Sequence, residues 1–518
     1  MAGRVLILAL DSADAELVER WAGEGALPTF ARLMREGIYS RLRTTAEVLH
    51  VSAWPSLYTG CHPGRHGLYH AFQLRAGEAR IYRTDPRWRA VEPFWATLDR
   101  AGRRVIVMDA FMDAPIPDFG GIQILEYGTW TWFWRPESRP AGVYREIRRR
   151  FGRYPAPEHL DQVTIPDPLW FRDRLLRAAT LKGEVVRWLL AEHPWEVAFI
   201  MFGETHGGGH YLWHAGDPDY PLRPDGRLPP DFHPLRDVYM AVDRAVGGIL
   251  DAVGEEVDVL VVSGDGMGPN YSGSHLMPEL LAQLGLLRAA GVGTAREETP
   301  EMPQPGLAAR LRALLPLSVR QSLSRCLPRA VRQQLAMKWM NSGIDWQATR
   351  VFCIPNSNEG YFRVNLSGRE PGGTVTGEEY RVLLDELADE LRGLVNPATG
   401  CRCAHGVFPI DETFPGPARI HLPDLVIGFD PAARTLDRIA GPRAGVIEGR
   451  KPFEVPAHYT GNHRPLAFLL ARGPRLRRDV SVADGHILDV APSVLALAGV
   501  EDPIARDGRP LSCFRYPG

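Results

Sequence analysis

Six short apolar runs set the frame for this chain: RVLILAL (4–10), RRVIVMD (103–109), EVAFIMF (196–202), VDVLVVS (257–263), LPDLVIGF (422–429) and LAFLLA (466–471). Each is continuous rather than alternating with polar residues. Continuous apolarity suits strands covered on both faces, as in a parallel sheet flanked by helices. Helical patterns lie between the runs, at 27–36, 170–191 and 235–253. The alternation predicts a three-layer α/β sandwich with a mostly parallel central sheet.

The length of 518 residues accommodates two to four domains of ~100–200 residues, or one large α/β core with insertions. Residues 1–292 are expected to form the first part of the core. The segment 293–345 is basic, amphipathic and punctuated by Pro, and is expected as a helical insertion packed on the core. It also offers a surface for a lid, a homo-oligomer contact or a membrane-surface helix. Residues 346–421 are expected as a small α+β subdomain with one helix over GEEYRVLLDELADELRGLV, and 422–518 as the rest of the core.

The formal net charge is −2, and Lys occurs only at Lys182, Lys338 and Lys451. No global field recruits a nucleic acid polymer or a membrane. The six Cys, at 61, 326, 353, 401, 403 and 513, make no dense disulfide framework. That implies a reduced compartment. The apolar run 4–10 is too short for a signal peptide and ends directly in Asp11. No run reaches the ~18 residues of a membrane span. A cytoplasmic location is expected.

Polar residues follow the runs. Asp11 follows 4–10. Glu204, His206, His210 and His214 follow 196–202. Asp265, Asn270 and His275 follow 257–263, and His458 and His463 precede 466–471. In open α/β sheets, ligands bind outside the carboxyl ends of the strands. For His463 to join them, its strand must run antiparallel near the sheet edge, or a loop must carry it inward. His and carboxylate donors suit zinc, with manganese and iron as alternatives. The Gly run 207–209 lets the backbone fold so that His206 and His210 converge. Mixed ligands from several segments suggest two divalent ions, which clamp both oxygens in phosphoryl transfer. In YGTWTWFWRPE (127–137), Trp130 and Trp132 are candidates either for a wall that stacks on a flat substrate or for an edge strand. Asn270 is a further substrate-binding candidate.

The order of these motifs resembles the alkaline phosphatase superfamily, in particular its type I phosphodiesterase/nucleotide pyrophosphatase branch. LILALDSAD looks like that family's first strand and metal Asp. WPSLYTGCHPGRHGLY is similar to its W-x-S-x-x-T-G-x-x-P-x-x-H-G stretch. GHYLWH and GNHRPLAFLLARGP resemble its metal-His segments. SGDGMG stands where the family has Ser-Asp-His-Gly-Met, and ILDVAPSVLALAGVEDPIARDGRPL resembles its close. The resemblance implies an alkaline phosphatase-like fold and a two-metal centre that hydrolyses small-molecule phosphate esters. Carried over, Asp11, His210 and His463 match metal ligands. His206 stands at a second-site Asp, with Glu204 two residues before it. Asp265 stands at the family's His, and Gly264 at its Asp.

The family nucleophile is a hydroxyl nine residues before the Thr of T-G. Thr59 is that Thr here, so the position is His50. Several readings stay open. Ser52 attacks after a small loop shift; His50 itself attacks; or His50 is a ligand and a metal-held hydroxide attacks. Thr44 and Thr45 are further candidates. Cys61-His62-Pro63-Gly64-Arg65 fits the sulfatase pattern C-x-P-x-R but lies after the T-G step, so it is read as coincidence. The expected activity is hydrolysis of a phosphodiester or pyrophosphate bond. The alternatives are a related metalloenzyme for sulfate or phosphonate esters, group transfer or metal-dependent biosynthetic chemistry, and a non-catalytic binding protein on a decayed site.

Overall fold

The computed structural model describes residues 3–78, 80–128, 136–156, 167–217, 220, 233–289, 334, 343–434, 437–449, 459–480, 482 and 484–517. Trp130, Trp132 and His458, and nearly all of the segment 293–345, lie outside the described residues.

The central sheet has eight strands. From one edge to the other they are Ile38–Leu42, Ala467–Arg472, Val257–Ser263, Arg4–Leu10, Val197–Phe202, Val105–Met108, Ile122–Leu125 and Glu137–Arg139. The strands from Val257–Ser263 across to Ile122–Leu125 pair in parallel. Ala467–Arg472 pairs antiparallel with both of its neighbours. This reversed strand near the sheet edge is one of the two arrangements that bring His463 to the rim.

Alternate residues of the first strand point to opposite faces, as the pleat dictates. Leu6, Leu8 and Leu10 enter one apolar layer, with helices Pro28–Glu36, Pro168–Glu192 and Pro234–Val253. Val5, Ile7 and Ala9 enter the other, with helices Ala53–Thr59, Phe94–Arg100 and Val490–Leu497. Both faces are thus covered, which is why the runs are apolar throughout. Among the described residues, no helix is long and apolar enough to cross a membrane.

A second sheet of four antiparallel strands carries Val351–Ile354, Gly360–Val364, Leu425–Phe429 and Ala404–Pro409, in that spatial order. The run 422–429 therefore belongs to this sheet and not to the central one, so the small subdomain extends past 421. The reason is physical. Leu425 and Ile427 pack in one apolar cluster with helix Gly377–Arg392, while Val426 packs in another with Val48, Leu49 and Tyr69. A strand covered on both faces reads as a continuous apolar run whichever sheet holds it.

Candidate metal centre

Three strand ends of the central sheet deliver the site. Arg4–Leu10 ends at Asp11, followed by Ser12 in the left-handed region at φ 52°. Val197–Phe202 passes through Gly203 into helix Glu204–Gly216. Val257–Ser263 leads to Asp265 and then to the short strand Gly266–Pro269, which pairs antiparallel with Gly461–Arg464. This ribbon reaches past the sheet and sets His463 opposite Met267, just before the chain re-enters the sheet at Ala467.

The Gly run 207–209 makes no tight turn: it is helical, and His206 and His210 share a helix face by their i,i+4 spacing. Gly in a helix interior costs about 1 kcal/mol relative to Ala. Close packing explains its use here. A Cβ on Gly209 would come within 2.6 Å of Met267 Cγ, and one on Gly461 within 2.2 Å of the Gly209 carbonyl oxygen. Through this contact the ribbon clamps His210. The Thr460 backbone N–H donates to the His210 carbonyl at 2.7 Å. His210 Nδ1 meets the Gly461 carbonyl at 2.8 Å, and Tyr459 stacks on the ring at 4.1 Å. Gly461→Ala is expected to separate the helix from the ribbon and to lower both metal affinity and Tm, as read by metal titration and thermal unfolding.

His206, His210 and His463 can each offer a ring nitrogen lying within 4.8 Å of the others. His206 Nε2 and His210 Nε2 are 3.1 Å apart, close to the roughly 3.3 Å that two imidazoles take on one tetrahedral zinc. The opposite nitrogens face oxygen atoms. His210 Nδ1 meets Gly461, His463 Nδ1 meets Asp265 Oδ2 at 2.6 Å, and His206 Nδ1 lies 3.8 Å from Asp11 Oδ2. The first two contacts are of the kind that fix tautomer and orientation in metal-ligating imidazoles. Burial, reinforced by the neighbouring imidazoles, holds His206 and His210 well below the usual histidine range; burial and the nearby His50 do the same to His463. The rings are therefore neutral, as ligands must be.

The carboxylates fit a cation as well. Burial and the neighbouring Asp265 push Asp11 up to about 8, although Trp54 Nε1 donates to its Oδ1 at 2.6 Å. Burial pushes Asp265 up to about 7, and its Oδ1 has no hydrogen-bond partner among the described residues. Two buried carboxyl groups beside three neutral imidazoles lack positive charge, which a divalent ion would supply.

The other sequence candidates fall elsewhere. Glu204 is buried on the same helix but accepts from Tyr154 at 2.7 Å and lies in the field of Lys182, away from the three imidazoles. Ser52 donates to the Leu49 carbonyl at 2.6 Å, and its Oγ lies 2.9 Å from Thr45 Oγ1. Thr44 donates to the Gly264 carbonyl, and Thr45 lies 3.2 Å from Ser56 Oγ. Asn270 ties the two arms of the ribbon, donating to the Tyr459 carbonyl and accepting from Asn462 Nδ2. Cys61 is buried, and Arg65 of the same pentapeptide pairs with Asp507.

Two residues that sequence reasoning missed are at the site. Ser12 Oγ lies 3.2 Å from His463 Nδ1. Glu359, from the small subdomain, meets His50 Nδ1 at 2.7 Å through Oε2 and 3.0 Å through Oε1. His50 in turn stacks on His463 with ring centroids 4.4 Å apart. Glu359 lies 309 residues from His50, in the tract IPNSNEGYF, and no local pattern marks it.

A profile of the type I phosphodiesterase/nucleotide pyrophosphatase family matches residues 5–450. The chain belongs to this family. It is a family of phosphoester hydrolases within the alkaline phosphatase superfamily. One solved structure supports the fold, and others align less closely. Phosphonoacetate hydrolase from Sinorhizobium meliloti, bound to phosphonoformate, aligns with a TM-score of 0.53 at 12% identity over 96% of each chain. An inactive form of murine ectonucleotide pyrophosphatase/phosphodiesterase 5, bound to AMP, aligns at 0.48 and 13% identity, over 98% of this chain and 97% of that one. The human protein of the same name gives 0.48 and 13% with the same coverage. A comparison with curated protein sequences finds no significant match.

Proposed function

We propose that this chain is a metal-dependent hydrolase of small-molecule phosphate esters, acting on a phosphodiester or pyrophosphate bond. The observation that carries the reading is the convergence of His206, His210 and His463 beside Asp11 and Asp265, at the strand ends where the family places its metals. Three imidazoles favour zinc over harder ions. A divalent ion held there would polarise the phosphoryl oxygens and offset the charge that builds on them.

The protein's own part is to hold that centre rigid and dry. Gly461 and Asp265 orient His210 and His463, and Trp54 fixes one oxygen of Asp11. The three imidazoles account for one ion. A second would rest on Asp11 and Asp265, whose Oδ1 and Oδ2 respectively are already engaged by Trp54 and His463.

The test is metal content and turnover together. Protein expressed in metal-replete medium is expected to hold at least one zinc per chain by plasma mass spectrometry. Chelation is expected to abolish hydrolysis of bis(p-nitrophenyl) phosphate, and zinc to restore it. Metal-free protein from such medium would overturn the reading. p-Nitrophenyl sulfate and p-nitrophenyl phenylphosphonate, run in parallel, separate phosphate esters from sulfate and phosphonate esters.

A further inference from the structure

We propose that this chain holds a second ligand site, apart from the metal centre: a cleft for a phosphorylated small molecule with an apolar body, gripped by Arg65, Arg87, Arg89 and Arg100. The cleft has a volume of about 700 Å³. Of the residues that line it, four are Arg and one, Glu92, is acidic. None of the metal-centre residues is among them. The site stands independently of the hydrolase reading above.

Separate short elements deliver the charged side chains. Arg65 stands on the helical turn Pro63–His66 and Arg87 on the short helix Pro86–Trp88. Arg89 follows that short helix, and Arg100 ends helix Phe94–Arg100. Much of the apolar lining is Ala114-Pro115-Ile116-Pro117, from the loop between strands Val105–Met108 and Ile122–Leu125. The ring of each proline fixes φ near about −65°, so Pro86, Pro115 and Pro117 stiffen the walls before any ligand arrives.

The carboxylates that hold these arginines stand mostly outside the lining. Asp507 Oδ1 lies 2.9 Å from Arg65 Nη1, Asp85 Oδ2 2.5 Å from Arg87 Nη2, and Asp113 Oδ1 3.5 Å from Arg89 Nη1. None of these three acids lines the cleft; only Glu92, which pairs with Arg100, does. A carboxylate at one edge of a guanidinium fixes its plane and leaves the remaining N–H groups to another acceptor.

Arg89 carries the argument furthest. Its side chain is only 8% exposed, yet its one carboxylate contact is the long one to Asp113. Nη1 also donates to Tyr58 Oη at 3.3 Å, while Nε and Nη2 have no hydrogen-bond partner among the described residues. Arg65 likewise engages only Nη1, with Asp507 and the Ala505 carbonyl. Nearly buried donors are rarely left unpaired, and a phosphate group can accept from two guanidiniums at once. Small-molecule sites run to roughly 300–1,000 Å³, and this cleft is far larger than an inorganic ion needs. Its apolar lining, including Ile116 and Ile504, suits the organic body of such a ligand. Tyr58, which Arg89 touches, shares helix Ala53–Thr59 with Trp54, the donor to Asp11, so one helix meets both sites.

The test uses the full chain and adenosine 5′-(α,β-methylene)diphosphate, whose P–C–P bridge resists hydrolysis. Titration calorimetry is expected to show saturable binding that Arg89→Gln and Arg65→Gln each weaken about 10–100-fold, the loss of a charged hydrogen bond. Inorganic phosphate is expected to bind at least about tenfold more weakly, because it leaves the apolar lining uncovered. Phenylglyoxal labelling of the wild-type chain, read peptide by peptide, needs no variant to fold: the probe is expected to protect Arg65, Arg87 and Arg89. Absence of saturable binding, wild-type affinity in both variants, or labelling without protection would overturn the proposal. Equal affinity for inorganic phosphate, or for tricarballylate as a carboxylate of similar charge, would overturn the assignment to an organic phosphate. Binding is read without turnover, so a chain that binds the probe here and hydrolyses no phosphoester sinks only the hydrolase reading.

Discussion

His463→Ala is expected to remove metal and turnover together: bound zinc falls below about a tenth of an ion per chain, and kcat/KM falls by at least about 10³-fold. His206 and His210 come from one helix and form only a pair on their own. His463 arrives from a ribbon 253 residues after His210 and completes the set. Its loss also removes the 2.6 Å contact to Asp265 Oδ2, beside an Oδ1 that has no hydrogen-bond partner among the described residues. Asp265→Asn is expected to be milder, costing about 10–100-fold in zinc affinity, because it removes an outer partner and keeps all three imidazoles. Competition with a chromogenic chelator reads both variants. Full zinc occupancy in His463→Ala would rule out the tri-histidine centre.

Lys182→Met is expected to destabilise the chain by about 3–5 kcal/mol, the usual cost of removing one partner from a buried ion pair. Lys182 is fully buried on helix Pro168–Glu192 and meets the Asp109 carboxylate at 2.7 Å and the Met201 carbonyl at 2.9 Å. Asp109 in turn accepts from the backbone N–H groups of Tyr127 and Gly128 at 2.6 and 2.9 Å. Burial pushes Glu204 up, and the Lys182 charge opposes that shift. Removing the ammonium therefore strands two carboxyl groups under the helix that carries His206 and His210. Urea unfolding measures the loss. Adding Asp109→Asn to Lys182→Met is expected to recover part of it, since the unpaired charge is then gone. A single variant with wild-type stability would show that the cluster is solvated rather than buried.

This cluster also explains where the sequence reading of Glu204 went astray. Glu204 and His206 are two residues apart, so on a helix they diverge by about 200°. His206 turns toward His463 of the ribbon, and Glu204 turns toward Tyr154. Reading 207–209 as a flexible turn hid that divergence. The helix shows that spacing of four, rather than glycine freedom, brings His206 to His210. A similar limit applies to Ser52. It is two residues from His50, yet its hydroxyl closes a local contact to Leu49, while the His50 ring reaches across the seam to Glu359.

The sequence by itself determined the layered α/β architecture, because apolar runs buried on both faces and amphipathic helices have few other ways to pack. It also determined which residues stand at the strand ends, since a polar residue directly after a buried strand has little choice but the rim. Asp11, His206, His210, Asp265 and His463 were legible in this way. Only the tertiary structure decided how they pair. Trp54 with Asp11, Asp265 with His463, and Glu359 with His50 are each separated by 43 to 309 residues. No periodicity encodes such a pairing. It is set when the ribbon 461–464 folds over the sheet end and the small sheet docks on Val48 and Leu49. His50 could be placed from the sequence at the position of the expected hydroxyl. The carboxylate that orients its ring comes from a separate layer of the fold, and apolar packing between the two layers brings it there.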